Sequence, residues 1–183
     1  SLEKSIPNQR RFILHQDYSI TPNRLVQQSQ PIQLLWMGTH FQNQHLELSP
    51  YLENALINFP MEKDVQAQQF ANQLFQKSQS DPQIYIQNLL QWYQQENFIY
   101  TLKSGVLGEN RIDEFLFKSK QGFCEHYASS FVLMMRYVGI PARVVVGYQG
   151  GQEAPDGKSW EVRQLDAHAW TEVFLNGRWQ RID

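Results

Sequence analysis

The stretch Gly122-Phe123-Cys124-Glu125-His126-Tyr127-Ala128-Ser129-Ser130-Phe131 opens a predicted helix and holds the one cysteine of the chain. From Cys124 the apolar positions recur as Tyr127, Ala128, Phe131, Met134, Met135 and Val138, the three-and-four spacing of a helix with one buried face. Gly139 suits the left-handed position past the helix end, and Pro141 prevents continuation. The helix is therefore expected to be short and central. Cys124 falls in its first turn, where unpaired backbone N–H groups and the helix dipole favour a thiolate. The same N–H groups can bind the oxyanion formed on an attacked carbonyl. Gly122, just before it, is expected to let a substrate backbone approach closely. A lone cysteine is more often a small buried hydrophobe than a nucleophile, so a partner has to decide its role.

That partner is sought downstream. His168-Ala169-Trp170-Thr171-Glu172-Val173-Phe174-Leu175 reads as a strand, Asn176-Gly177 as a two-residue hairpin turn, and Arg178-Trp179-Gln180-Arg181-Ile182-Asp183 as the returning strand. With a two-residue loop, Leu175 faces Arg178, Phe174 faces Trp179, and Trp170 comes opposite Asp183. Side chains alternate along a strand, so His168, Trp170 and Asp183 project from the same face. Asp183 is then the diagonal neighbour of His168, and its carboxylate can fix the imidazole tautomer. One residue more in the loop would turn Asp183 to the other face. The rival base, His126, is two helix positions from Cys124, roughly 200° around the axis, and is not expected to meet it.

Upstream the chain reads in two parts, an N-terminal region over residues 1–60 and a core over 61–183. The first part is expected to be mostly extended, with short apolar runs at Arg11-Phe12-Ile13-Leu14 and Pro31-Ile32-Gln33-Leu34-Leu35-Trp36. Its repeated prolines argue against long helices. Then Ala67, Phe70, Ala71, Leu74 and Phe75 set a helical period, and Asp81-Pro82 supplies a cap and a first-turn proline for a second helix through Ile86, Leu89, Leu90 and Tyr93. Asn97 to Lys103 is expected to be extended, and Asp113 to Phe117 a short helical turn.

Apolar residues at 42% and charged residues at 19% fit a soluble globular domain, and a net charge of -2 offers no basic field for nucleic acid. One cysteine excludes an internal disulfide and a multi-cysteine zinc site. Of the five histidines, His40 and His45 lack a neighbouring ligand set and are read as surface residues. The aromatic residues Phe123, Tyr148, Trp160 and Trp170 lie near the candidate site in sequence and are read as core packing in preference to an acceptor tunnel.

Four segments carry a resemblance: Gly122 to Ala128, Gly139-Ile140-Pro141-Ala142-Arg143-Val144-Val145, Gly147-Tyr148-Gln149-Gly150-Gly151, and Val162-Arg163-Gln164 through Asp166-Ala167-His168-Ala169-Trp170. Together they resemble the transglutaminase-like superfamily, in particular the TgpA-type bacterial transglutaminases anchored in the inner membrane. The resemblance implies an α+β fold, a papain-like core with the cysteine helix packed on an antiparallel sheet. It implies a triad of Cys124, His168 and Asp183, no metal or organic cofactor, and a periplasmic domain flanked by membrane helices in the parent protein. It also implies a protein or peptide substrate bearing a glutamine side chain, and an amine acceptor. The family continues past the aspartate with proline, whereas this chain stops at Asp183, so an excised piece or an incomplete last strand is expected.

The activity expected on this basis is that of a protein-glutamine gamma-glutamyltransferase, working through a Cys124 thioester. A cysteine peptidase or amidase would keep the triad and use water as the acceptor. A non-catalytic periplasmic binding module on the same scaffold would carry a broken triad.

Overall fold

The computed structural model describes residues 5–7, 12–14, 20–25, 27, 34–36, 47–157 and 160–183. His15, His40 and His45 lie outside them, as do Arg11 and the start of the run at Pro31. The chain divides into two units, Ser1–Leu46 and Glu47–Asp183. In the first, β1 (Ser5–Pro7) pairs antiparallel with β4 (Leu34–Trp36), and β2 (Phe12–Leu14) pairs antiparallel with β3 (Ile20–Pro22).

Helices of the second unit begin where capping chemistry puts them. Residues 50–57 depart from the extended reading of the first sixty: Pro50–Ile57 is a helix, α1, with the Ser49 hydroxyl accepting from the Leu52 N–H at 3.3 Å and proline at its start. Proline opposes the interior of a helix but suits its first turn. Burial of Leu56 and a bond from Arg136 Nη1 to the Asn58 carbonyl, 2.9 Å, tie this helix to the core. Helix α2 is Val65–Lys77 and α3 is Pro82–Gln95, where the Asp81 carboxylate accepts from the N–H groups of Gln83 and Ile84. The helical turn expected at 113–117 is a short helix, α4 (Arg111–Glu114), running into a π-helical turn at Phe115–Ser119. Two helix starts are cross-linked there. Asp64 Oδ1 accepts from Ile112 and Asp113 N–H, while the Asp113 carboxylate accepts from Gln66 and Ala67 N–H.

Helix α5, Cys124–Arg136, is the centre of the unit. Ala128, Phe131, Met134 and Met135 of the expected stripe are buried. Gly139 takes φ +76° and ends the helix, with the Ile140 N–H reaching the Met135 carbonyl at 3.0 Å. On one side Tyr85 of α3 donates its hydroxyl to the Met134 carbonyl; on the other Thr171 donates to the Ala128 carbonyl at 3.0 Å. The helix is thus held between helices and sheet.

That sheet has the order β11-β10-β7, antiparallel throughout: β7 is Ala142–Tyr148, β10 Ala167–Leu175 and β11 Arg178–Ile182. Between β7 and β10 lies a small hairpin of β8 (Gln152–Glu153) and β9 (Trp160–Glu161). The extended segment expected at 97–103 contributes β5 (Ile99–Tyr100), which runs parallel to β6 (Gln121–Gly122), the two residues leading into the cysteine helix.

Candidate active site

Cys124 is the first residue of α5 and is partly exposed. Phe123 precedes it in extended conformation and offers no capping oxygen. His126 takes over part of that duty: its Nδ1 accepts the Phe123 N–H at 3.3 Å, as a third-position residue does in a capping box. The ring of His126 is edge-on to Phe123, centroids 4.5 Å apart, and the residue lines a second cavity with Glu125 and Ser129. Sequence spacing had set this histidine apart from Cys124, and its bond to the cap gives it a structural use. Gly122 has a different role from the one expected. A Cβ there would stand 2.7 Å from the His126 Cβ and 2.9 Å from Phe115 Cε2, so its missing side chain serves packing within the chain.

The hairpin has the anticipated two-residue loop. Asn176 and Gly177 take φ values of +51° and +73°, the left-handed pair of a type I′ turn. Leu175 pairs with Arg178 and Phe174 with Trp179, and the ladder runs to Thr171 opposite Ile182. One step further, Asp183 Oδ1 meets His168 Nε2 at 2.7 Å. The second carboxylate oxygen accepts from Arg181 Nη2 at 2.5 Å. Burial pushes the Asp183 carboxyl up, but the bonds from Arg181 and His168 outweigh it and hold the group below the usual carboxylate range.

Cys124, His168 and Asp183 line one cavity of about 390 Å³, together with Tyr100, Tyr127 and Trp170. Its wall is largely apolar. Tyr100 and Tyr127 stack with centroids 6.1 Å apart and planes 25° apart, and Tyr127 sits one helical turn from Cys124. Desolvation pushes the Tyr100 phenol up and the adjacent Cys124 thiol adds to the effect, against a bond to the Cys124 backbone that draws it down. The sequence pattern puts Tyr127 on the Cys124 stripe but gives no sign of Tyr100. The parallel pairing of Tyr100 with Gly122, which brings it to Cys124, joins segments with no shared local pattern. Of the four aromatic residues noted in the sequence, Trp170 is buried against the cavity, whereas Trp160 and Tyr148 stand exposed. Among the described residues no group of three histidine, cysteine or acidic side chains is gathered as a metal site.

Comparison with known proteins bears on the same region. The family model for the transglutaminase-like superfamily matches residues 68–183, which include Cys124, His168 and Asp183. A protein-glutamine gamma-glutamyltransferase of Pseudomonas aeruginosa is 44% identical over 128 residues, covering 69% of this chain and 19% of that protein. Kyphoscoliosis peptidase of Homo sapiens is 34% identical over 68 residues, 37% of this chain and 10% of that protein. The crystal structure of the periplasmic domain of TgpA from Pseudomonas aeruginosa bound to ethylmercury has a TM-score of 0.86 at 33% identity, covering 100% of this chain and 65% of that one. The chain therefore spans about a fifth, or less, of the length of these two curated relatives. The α+β core expected from the motifs is the fold observed, with Cys124 at a helix start packed on an antiparallel sheet.

Proposed function

This chain belongs to the transglutaminase-like superfamily, and from that premise we propose that it catalyses acyl transfer from a glutamine side chain to an amine, with Cys124 as nucleophile, His168 as base and acid, and Asp183 as the group that orients His168. The observation that carries this reading is the 2.7 Å bond between His168 Nε2 and Asp183 Oδ1 in the cavity that also holds Cys124. Because Nε2 is engaged, Nδ1 is the nitrogen left to exchange a proton with the thiol. The carboxylate stabilises the imidazolium formed when it does.

Cys124 Sγ attacks the carboxamide carbon, and the resulting oxyanion is met by N–H groups of the first turn of α5. Collapse breaks the C–N bond, His168 gives its proton to the departing ammonia, and a thioester remains. An amine such as a lysine side chain then attacks the thioester. His168 takes the amine proton, the C–S bond breaks, and an amide is formed while the thiol is regenerated. The apolar, aromatic wall suits an uncharged carboxamide and limits competition from water.

A second reading has one observation in its favour, the 34% identity to a protein named a peptidase. There water resolves the thioester and the protein is a cysteine peptidase or amidase. A broken triad would favour a non-catalytic binding module; the His168–Asp183 bond supports catalysis instead. We place the chain in a periplasmic domain of a membrane-anchored parent, in line with the TgpA periplasmic domain it resembles. No helix among the described residues is long and apolar enough to cross a membrane.

Iodoacetamide is expected to alkylate Cys124 and abolish activity, and Cys124→Ala to be inactive; full activity in that variant would sink the proposal. Mass spectrometry of a glutamine peptide incubated with and without cadaverine separates the two acceptors. Transfer adds the mass of the amine less ammonia, whereas hydrolysis leaves a glutamate side chain or a cut peptide whether or not amine is present.

A further inference from the structure

We propose that Arg181 is a positioning residue for the triad, holding the Asp183 carboxylate in the orientation from which it accepts the His168 N–H. This rests on the acyl-transfer reading above. Asp183 lies one residue past Ile182, the last residue of β11 paired in the ladder, so backbone pairing does not by itself fix its side chain. Its two oxygens are divided between an imidazole and a guanidinium: Oδ1 on His168 Nε2 at 2.7 Å and Oδ2 on Arg181 Nη2 at 2.5 Å. Arg181 lies on β11 and Asp183 just past its end, two residues on, so in extended chain the two share a face.

Arg181 is itself held on three sides. Its backbone is paired with Glu172 in the centre of the sheet. Its guanidinium lies over the Trp170 ring, Cζ 4.3 Å from the centroid, and Nη2 also reaches Gln149 Oε1 at 3.3 Å. Trp170 is buried and cannot drift: it packs on Gly147, where a Cβ would stand 3.0 Å from Cη2. The same indole stacks with the His168 ring at 6.3 Å and 26°. Trp170 therefore sets the positions of both His168 and Arg181, and Asp183 spans the two. A planar guanidinium can stack and donate at once; an ammonium keeps the charge and loses the stack.

The test measures kcat and KM for ammonia release from a glutamine dipeptide with cadaverine, in wild type, R181Q, R181K, D183N and R181Q/D183N. A parallel readout needing no substrate is the rate of Cys124 alkylation by iodoacetamide. R181Q is expected to lose about tenfold in kcat with KM unchanged, R181K to fall between it and wild type, and R181Q/D183N to be no slower than D183N. Wild-type kcat in R181Q overturns the proposal. So does an equal loss from R181Q in both backgrounds, which would mean that Arg181 supports the sheet and does not act through Asp183. R181K, which keeps the charge and most of the volume, decides the matter if R181Q melts early. Wild-type kcat and alkylation rate in D183N would overturn the triad itself, a failure distinct from that of Arg181 alone.

Discussion

Two histidines lie within reach of the same helix start and do different work. His126 closes the cap of α5 through Nδ1, and His168 reaches Asp183 through Nε2. A nitrogen already accepting a backbone N–H is not available as a base, so the two should separate on mutation. His168→Asn is expected to reduce acyl transfer by about a thousandfold or more, as removal of a general base does. His126→Asn keeps an acceptor for the Phe123 N–H and is expected to stay within a few-fold of wild type. Steady-state rates of the two variants check this, and equal losses would contradict the assignment of His168.

At the scale of elements, the parallel pairing of β5 with β6 places Tyr100 beside Cys124. The Thr101 N–H donates to the Gly122 carbonyl at 2.8 Å, and the Ile99 N–H to the Lys120 carbonyl at 2.8 Å. The pairing needs Gly122, since any side chain there meets His126 and Phe115. Gly122→Ala is therefore expected to destabilise the domain by about 1–3 kcal/mol, the range for overpacking, and to slow alkylation of Cys124. Thermal melting and the iodoacetamide rate measure the two effects. Unchanged melting would mean that the helix start yields without strain.

Across the whole domain, the sheet face bearing His168 is organised by arginine on tryptophan. Arg181 lies over Trp170, and Arg143 over Trp179 with Cζ 4.0 Å from the ring. Between them Glu172, fully buried on the central strand, accepts from Arg143 Nε at 2.9 Å and Nη2 at 2.7 Å. Burial pushes the Glu172 carboxyl up, but bonds from cationic groups, the Arg143 guanidinium first among them, outweigh it and hold the group below its ordinary value of 4.5. A depressed folded value means that the ion pair stabilises the fold above the unfolded pKa and loses this effect as pH falls through the folded one. Glu172→Gln is expected to cost about 2 kcal/mol at pH 7 and progressively less on acidification. Urea unfolding of both proteins at pH 7 and at pH 3 tests the sign; a gap that widens at low pH would refute it.

The sequence by itself determined what depends on short range. The stripe from Cys124 to Met135, the stop at Gly139, the Asp81-Pro82 start and the Asn176-Gly177 turn are each set by residues within one or two turns of chain, and all appear where the pattern puts them. The hairpin even transmits its register to Ile182, next to Asp183, because a two-residue turn leaves no freedom in pairing. Helix α1 escapes the pattern because proline opposes a helix interior, although Ser49-Pro50 repeats the logic of Asp81-Pro82. Only the tertiary structure decided what Cys124 faces. Tyr100 arrives there by pairing with a distant segment, Gly122 is small for His126 and Phe115, and Arg181 is aimed at Asp183 by a tryptophan seated on Gly147. Such contacts join residues far apart in sequence, and their geometry depends on how packed elements fill space around α5.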